Sequence, residues 1–99
     1  MVYLVLTRNG YEELIRQFQC VPSPLWVNKD VLSESELSSL RSSGVALTDF
    51  IYPITPSDSQ EVSEAAYTVK EHHPDESVWV EGFQRLAGAL AEGPCRTLD

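Results

Sequence analysis

Apolar residues arrive along the chain in four short runs separated by amphipathic stretches, and this alternation predicts the order of the elements. Val2 to Thr7 is almost unbroken in Val, Leu and Tyr, the pattern of a strand buried on both faces of a sheet. Asn9 then offers a cap with Glu12 three residues on, and Tyr11, Leu14, Ile15 and Phe18 recur at helical spacing, predicting a first helix over residues 10–19. Val21-Pro22-Ser23-Pro24 interrupts it, because proline lacks an amide hydrogen and forces the preceding residue into extended geometry. Leu25 to Asn28 follows as a second, shorter strand.

The sharpest local signal is Ser33-Glu34-Ser35-Glu36, a reciprocal cap flanked by the hydrophobic pair Leu32 and Leu37. A second helix starts there, with Arg41 near its negative end and Gly44 as a left-handed stop. Val45 to Tyr52 returns to strand composition, closed by Pro53 and Pro56, with Thr55 or Ser57 as cap of a third helix. Val62, Ala65, Ala66 and Val69 mark the buried stripe of that helix, and Pro74 ends it. Ser77 to Val80 is the fourth apolar run, and Phe83, Leu86, Ala87 and Leu90 predict a last helix stopped at Gly93-Pro94.

The order is strand-helix four times over. The 17 residues between the first two strands are too many for a tight hairpin and suit a crossover helix. The expected architecture is a small three-layer α/β sandwich with a four-stranded, mostly parallel sheet. The preferred strand order is 2-1-3-4, with helices two and four on one face and helices one and three on the other. Residues 1–94 form one domain in this reading, and residues 95–99 a loose tail. At 99 residues the chain buries roughly 65% of its unfolded surface by interpolation, enough for one core without a structural metal. The whole resembles the small bacterial α/β domains that carry no catalytic signature, a generic likeness that transfers no site residue.

Charge removes one class of partner. Seven basic against 15 acidic side chains give a formal charge of -8, which disfavours nucleic acid, whose phosphates are bound chiefly by Lys and Arg. No apolar run approaches the roughly 20 residues that span a bilayer, so no membrane association is expected. Met1-Val2-Tyr3-Leu4 lacks a basic region ahead of its apolar run, and the expected location is cytoplasmic. Cys20 and Cys95 lack the short paired spacing of a zinc or redox motif and read as plain thiols. A zinc tetrad joining them to His72 and His73 is disfavoured, since adjacent helical histidines point apart.

Ligands of parallel open sheets bind beyond the carboxyl ends of the strands, which directs attention to the residues after each apolar run. Arg8, Asn9, Gly10 and Lys29 are the candidate anion-binding set: two cations and the amides at the start of the first helix. Asp30 and Glu81 are the candidate metal ligands, while Asp49 falls inside the third strand. The sequence has neither G-x-G-x-x-G nor G-x-x-x-x-G-K-S/T, so no nucleotide cofactor is expected. It also lacks G-x-S-x-G, and His72 and His73 stand at the cation-favouring end of the third helix, so no catalytic residue is assigned. Trp26, Tyr52 and Trp79 form the candidate interaction patch, for a second copy or another protein. The reading these absences favour is a non-enzymatic interaction or regulatory module. The competing reading is an anion or metal site at the strand tips, with phosphoryl-transfer chemistry.

Overall fold

The computed structural model describes residues 1–82. Its elements are β1 (Val2–Val5), α1 (Arg8–Phe18), β2 (Leu25–Val27), α2 (Glu34–Ser42), β3 (Leu47–Asp49), α3 (Ser59–His72) and β4 (Val78–Val80). The expected fourth helix on Phe83, Leu86, Ala87 and Leu90, and the 95–99 tail, lie outside the described residues.

The four strands form one sheet in which every pairing is parallel. All four residues of β1 are buried, and alternation sorts their side chains between two cores. Tyr3 and Val5 join Leu25, Val27 and Trp79 against Tyr11 and Leu14 of α1 and Leu37 of α2. Val2, Leu4, Leu6 and Trp26 point the other way, against Val62, Ala65 and Val69 of α3. Side chains of this size contribute roughly 1.5–3 kcal/mol each when fully buried, so the central strand anchors both layers.

The sheet order is β3-β2-β1-β4, which corrects the expected 2-1-3-4. It also corrects the helix layers, because α1 and α2 share one face and α3 covers the other. Right-handed crossovers explain the difference. Two successive steps in one direction, from β1 to β2 to β3, keep their helices on one face, and the return from β3 to β4 puts its helix on the opposite face. Spacing along the chain fixes that a crossover exists but carries no record of its direction.

Local signals fared unevenly at the helix starts. Ser33 caps α2 with both halves of the predicted box: its hydroxyl accepts from Glu36 N at 3.2 Å and Glu36 accepts from Ser33 N at 2.9 Å. Leu32 and Leu37 are both buried beside it, and Gly44 ends the turn at φ 101°. The cap of α1 is Thr7 rather than Asn9, its hydroxyl accepting from Gly10 N at 3.0 Å. The cap of α3 is Asp58 rather than Thr55 or Ser57, accepting from Gln60 N and Glu61 N. In each case several cap-competent residues stand close together, and the tertiary exit of the preceding strand selects one of them. Strand β3 stops at Asp49, short of the expected Tyr52. It is an edge strand whose single neighbour, β2, has three residues to pair with. Cys20, expected as a plain thiol, is disulfide-bonded.

Replacing Ser33 by Ala removes one half of the α2 cap. Chemical denaturation of Ser33→Ala should show a loss of about 1 kcal/mol, and an unchanged midpoint would show that the box carries none of the stability of α2.

Candidate functional site

In a sheet of order 3-2-1-4 the direction of travel across the sheet reverses at β1 and β4: β1 leads out to α1 on one face and β4 is reached from α3 on the other, and open α/β sheets place their ligands in the crevice beyond the strand ends at such a reversal. Here that crevice holds a side chain of the protein itself. The Glu81 carboxylate accepts from Leu6 N at 2.6 Å, from Thr7 N at 2.9 Å and from the Thr7 hydroxyl at 2.6 Å. Thr7 therefore relays: its hydroxyl donates to Glu81 and accepts from Gly10 N, tying β4 to the first turn of α1. The helix has no acidic residue in its own first turn, whereas α2 and α3 each have one or more. Glu81 supplies the missing negative charge at the positive end of the α1 dipole from across the sheet. Gly10 makes room for it, since a Cβ at that position would overlap the Glu81 carboxylate.

The candidate anion ligands are dispersed among structural partners. Arg8 forms a two-pronged pair with Glu36, at 2.8 and 2.9 Å. It also donates to Glu12 at 3.1 Å and to the Val31 carbonyl at 3.1 Å, and its guanidinium lies 5.3 Å from the centre of the Tyr11 ring. Arg8 thus links the start of α1 to the start of α2. The bond to Arg8, and secondarily the backbone bond to Ser33, hold the Glu36 carboxyl well below its ordinary value, at about 2, and Glu36 and then Glu12 keep Arg8 still more firmly protonated. Asn9 lies in the first turn of α1, exposed. Lys29 pairs at 3.3 Å with Asp30, whose side chain is solvent-facing on a left-handed residue of φ 67°.

Asp30 and Glu81, the candidate metal ligands, belong to different turns, and Glu81 is engaged by its three donors. Among the described residues no group of three or more His, Cys, Asp and Glu is arranged to hold a metal ion. The residue that follows β2 received no role from the sequence. Asn28 is 6% exposed and uses its whole amide. Its Nδ2 donates to the Leu6 and Ile54 carbonyls at 3.0 and 2.7 Å, and its Oδ1 accepts from Ile54 N and Lys29 N at 2.9 and 2.8 Å. Asn28 fastens the loop after β3 to the tips of β1 and β2.

The proposed aromatic patch is divided by the sheet. Trp79 is buried with Tyr3 on the α1 face, Trp26 is buried with Phe50 on the α3 face, and Tyr52 is the exposed member. Tyr52 has different companions: Ile51 is 84% exposed beside it, and Tyr67 is 67% exposed on α3. Tyr52, Pro53, Ile54, Glu61, Glu64 and Ala65 wall a depression of about 240 Å³. A second hollow continues past Glu64 along α3 to Tyr67 and Thr68. Ile51 and Tyr67 escaped the sequence reading, although both carried a signal. Ile51 follows the buried Phe50 just past the end of β3, and Tyr67 lies two positions from Ala65, opposite the buried stripe.

Two predictions test this geometry. Gly10→Ala should displace the Glu81 carboxylate and destabilise the protein by about 1–3 kcal/mol. In a Glu81→Ala background the same substitution should become neutral or stabilising by up to about 1 kcal/mol through helix propensity. Equal effects in both backgrounds, measured by urea denaturation, would show that the close approach is irrelevant. The second concerns acid. A carboxyl depressed on folding contributes stability above its unfolded value of 4.5, and that contribution is lost as pH falls toward about 2. Glu36→Gln should therefore flatten the stability-versus-pH curve across that interval, and a slope matching the wild type would sever the link.

Comparison with known proteins adds no relative: no protein-family model, no curated protein and no solved structure matches the chain.

Proposed function

We propose that the protein is a docking module without chemistry of its own, which binds a basic segment of a partner protein carrying an apolar anchor. The observation that carries this reading is the exposure of Ile51, Tyr52 and Tyr67 along one side of the molecule, beside a hollow walled by Glu61 and Glu64. Large apolar side chains scattered singly need no explanation, but grouped ones rimmed by charge have the composition of interaction sites. Whereas the hollow at Tyr67 measures about 550 Å³, the one at Tyr52, at about 240 Å³, falls below the roughly 300–1,000 Å³ of sites that enclose small molecules. It is of a size to receive one side chain.

Charge selects the partner's sign. Asp58, Glu61, Glu64 and Glu71 stand on or just before α3, and the chain as a whole carries -8. Lys or Arg around an aliphatic or aromatic anchor meets both requirements, with the charges setting encounter rate and register and the anchor supplying most of the affinity. Because Asn28 pins Ile54 at both its amide and its carbonyl, the loop bearing Ile51 and Tyr52 is held in advance of binding. Less ordering entropy is then lost on association.

Selection from a random peptide library tests the proposal, with the wild type as bait and Tyr52→Ala/Tyr67→Ala as counter-bait. Selected sequences should be rich in Lys and Arg around an apolar residue, and should bind the double variant at least about tenfold more weakly. Sequences that bind both proteins equally, acidic consensus sequences, or concentration-dependent dimerisation that consumes the face would each overturn the proposal.

A further inference from the structure

Behind Tyr52 lies a continuous series of rings that ends on a titratable one. Tyr52 packs edge-on against Phe50 at 5.6 Å, and Phe50 packs on Trp26 at 5.5 Å. Trp26 in turn lies against His72 at 5.3 Å and His73 at 6.1 Å. Trp26 is 7% exposed and is paired in the sheet on both sides, so its indole has a fixed position. The indole Nε1 donates to His73 Nε2 at 3.3 Å.

That bond exists in one protonation state only. An indole nitrogen is a donor and never an acceptor, so His73 must be neutral, with its proton on Nδ1. A second proton on Nε2 would oppose two N–H groups and leave a buried donor without a partner. The charged groups around His73 act in the opposite sense. The turn closed by the Glu76 amide on the His73 carbonyl, at 3.1 Å, brings the Glu76 carboxylate to the same side of the chain bend, where its negative charge favours the imidazolium. Its negative charge is shared with the Met1 ammonium, which donates to it at 2.8 Å. From α3, Lys70 donates to the Glu76 carbonyl at 2.7 Å, and His72 occupies the next position along the chain. The phenol of Tyr52 stands at the far end of the ring series.

His73 thus stands between two groups that favour different charges, the indole when it is neutral and the carboxylate when it is protonated. We propose that His73 is a proton-operated latch: neutral, it holds Trp26 and, through Phe50, the Tyr52 loop in place; protonated, it leaves the indole for Glu76 and loosens that loop. The chemistry on which it acts is the docking surface, and this consequence rests on the docking reading. The latch itself is a property of the fold and can be measured without any partner.

The experiment follows the Trp26 indole ¹H–¹⁵N resonance between about pH 5 and 8, assigned with Trp79→Phe, in the wild type, His73→Gln and His72→Gln. The resonance should move with a single titration in the wild type and in His72→Gln. It should stay fixed in His73→Gln, whose side-chain oxygen accepts the indole proton at every pH. A static resonance in the wild type, or a titration that survives in His73→Gln, overturns the latch. The affinity of a peptide selected as above is then measured over the same range. It should weaken by about fivefold or more on acidification in the wild type and remain level in His73→Gln. Equal weakening in both overturns the coupling to docking. Failure of every peptide to bind would sink the docking reading alone, with the indole titration still deciding the latch.

Discussion

A parallel sheet buried on both faces ends its strands with backbone groups that neither the sheet nor solvent satisfies, and the architecture of this protein turns on how those groups are met. Two side chains meet most of them. Glu81 receives the amides of Leu6 and Thr7 at the end of β1, and Asn28 receives or supplies four bonds to Leu6, Lys29 and Ile54. Unsatisfied buried polar groups each cost roughly 1–3 kcal/mol, so both residues are constraints on the fold before they are anything else. They also decide what the rim can do. The position at which related topologies admit an anionic ligand holds an anion covalently attached to β4.

The consequence is a division of the molecule into a closed end and an open side. At the closed end Glu81 links β4 to α1 through Thr7, and Arg8 pairs with Glu12 and Glu36 to link α1 to α2. These exposed pairs contribute modestly to stability individually, but they commit the cations that a phosphate or carboxylate would need. The open side lies along α3, where apolar rings face outward between carboxylates. Its proximity to the sheet edge follows from topology, since the chain leaves β3 at the edge and must travel back over the opposite face to reach β4.

The same return path connects the surface to the interior. Trp26 lies beneath α3 because alternation along β2 turns it away from Leu25 and Val27, and α3 ends with two histidines where the chain bends toward β4. The end of α3 supplies the Trp26 indole with an acceptor in His73, whereas the buried Trp79 indole nitrogen has none among the described residues. The hydrogen bond is therefore a by-product of packing a Trp under a helix terminus. Its dependence on protonation comes from the chemistry of imidazole.

Much of the local structure was legible in the residues alone. The α2 capping box, the Leu32 and Leu37 pair, the Gly44 stop and the buried stripes of α1 and α3 depend on neighbours within a turn or two, and such signals are carried by spacing. The parallel α/β class was equally legible, because crossover lengths exclude hairpins. The formal charge of -8 disfavoured nucleic acid and selected no other partner. Strand order, helix layers and the identity of the α1 cap were decided by tertiary structure, because sequence spacing records distance along the chain and not the direction of a crossover. The candidate site divides in the same way. Arg8, Gly10 and Glu81 were found as residues of the right chemistry at strand ends, but what each meets, Glu36 for Arg8 and the Leu6 and Thr7 amides for the Glu81 carboxylate beside Gly10, arises from contacts up to 75 positions apart. Tyr52 was found and its companions Ile51 and Tyr67 were not, because exposure is set by what the rest of the chain leaves uncovered.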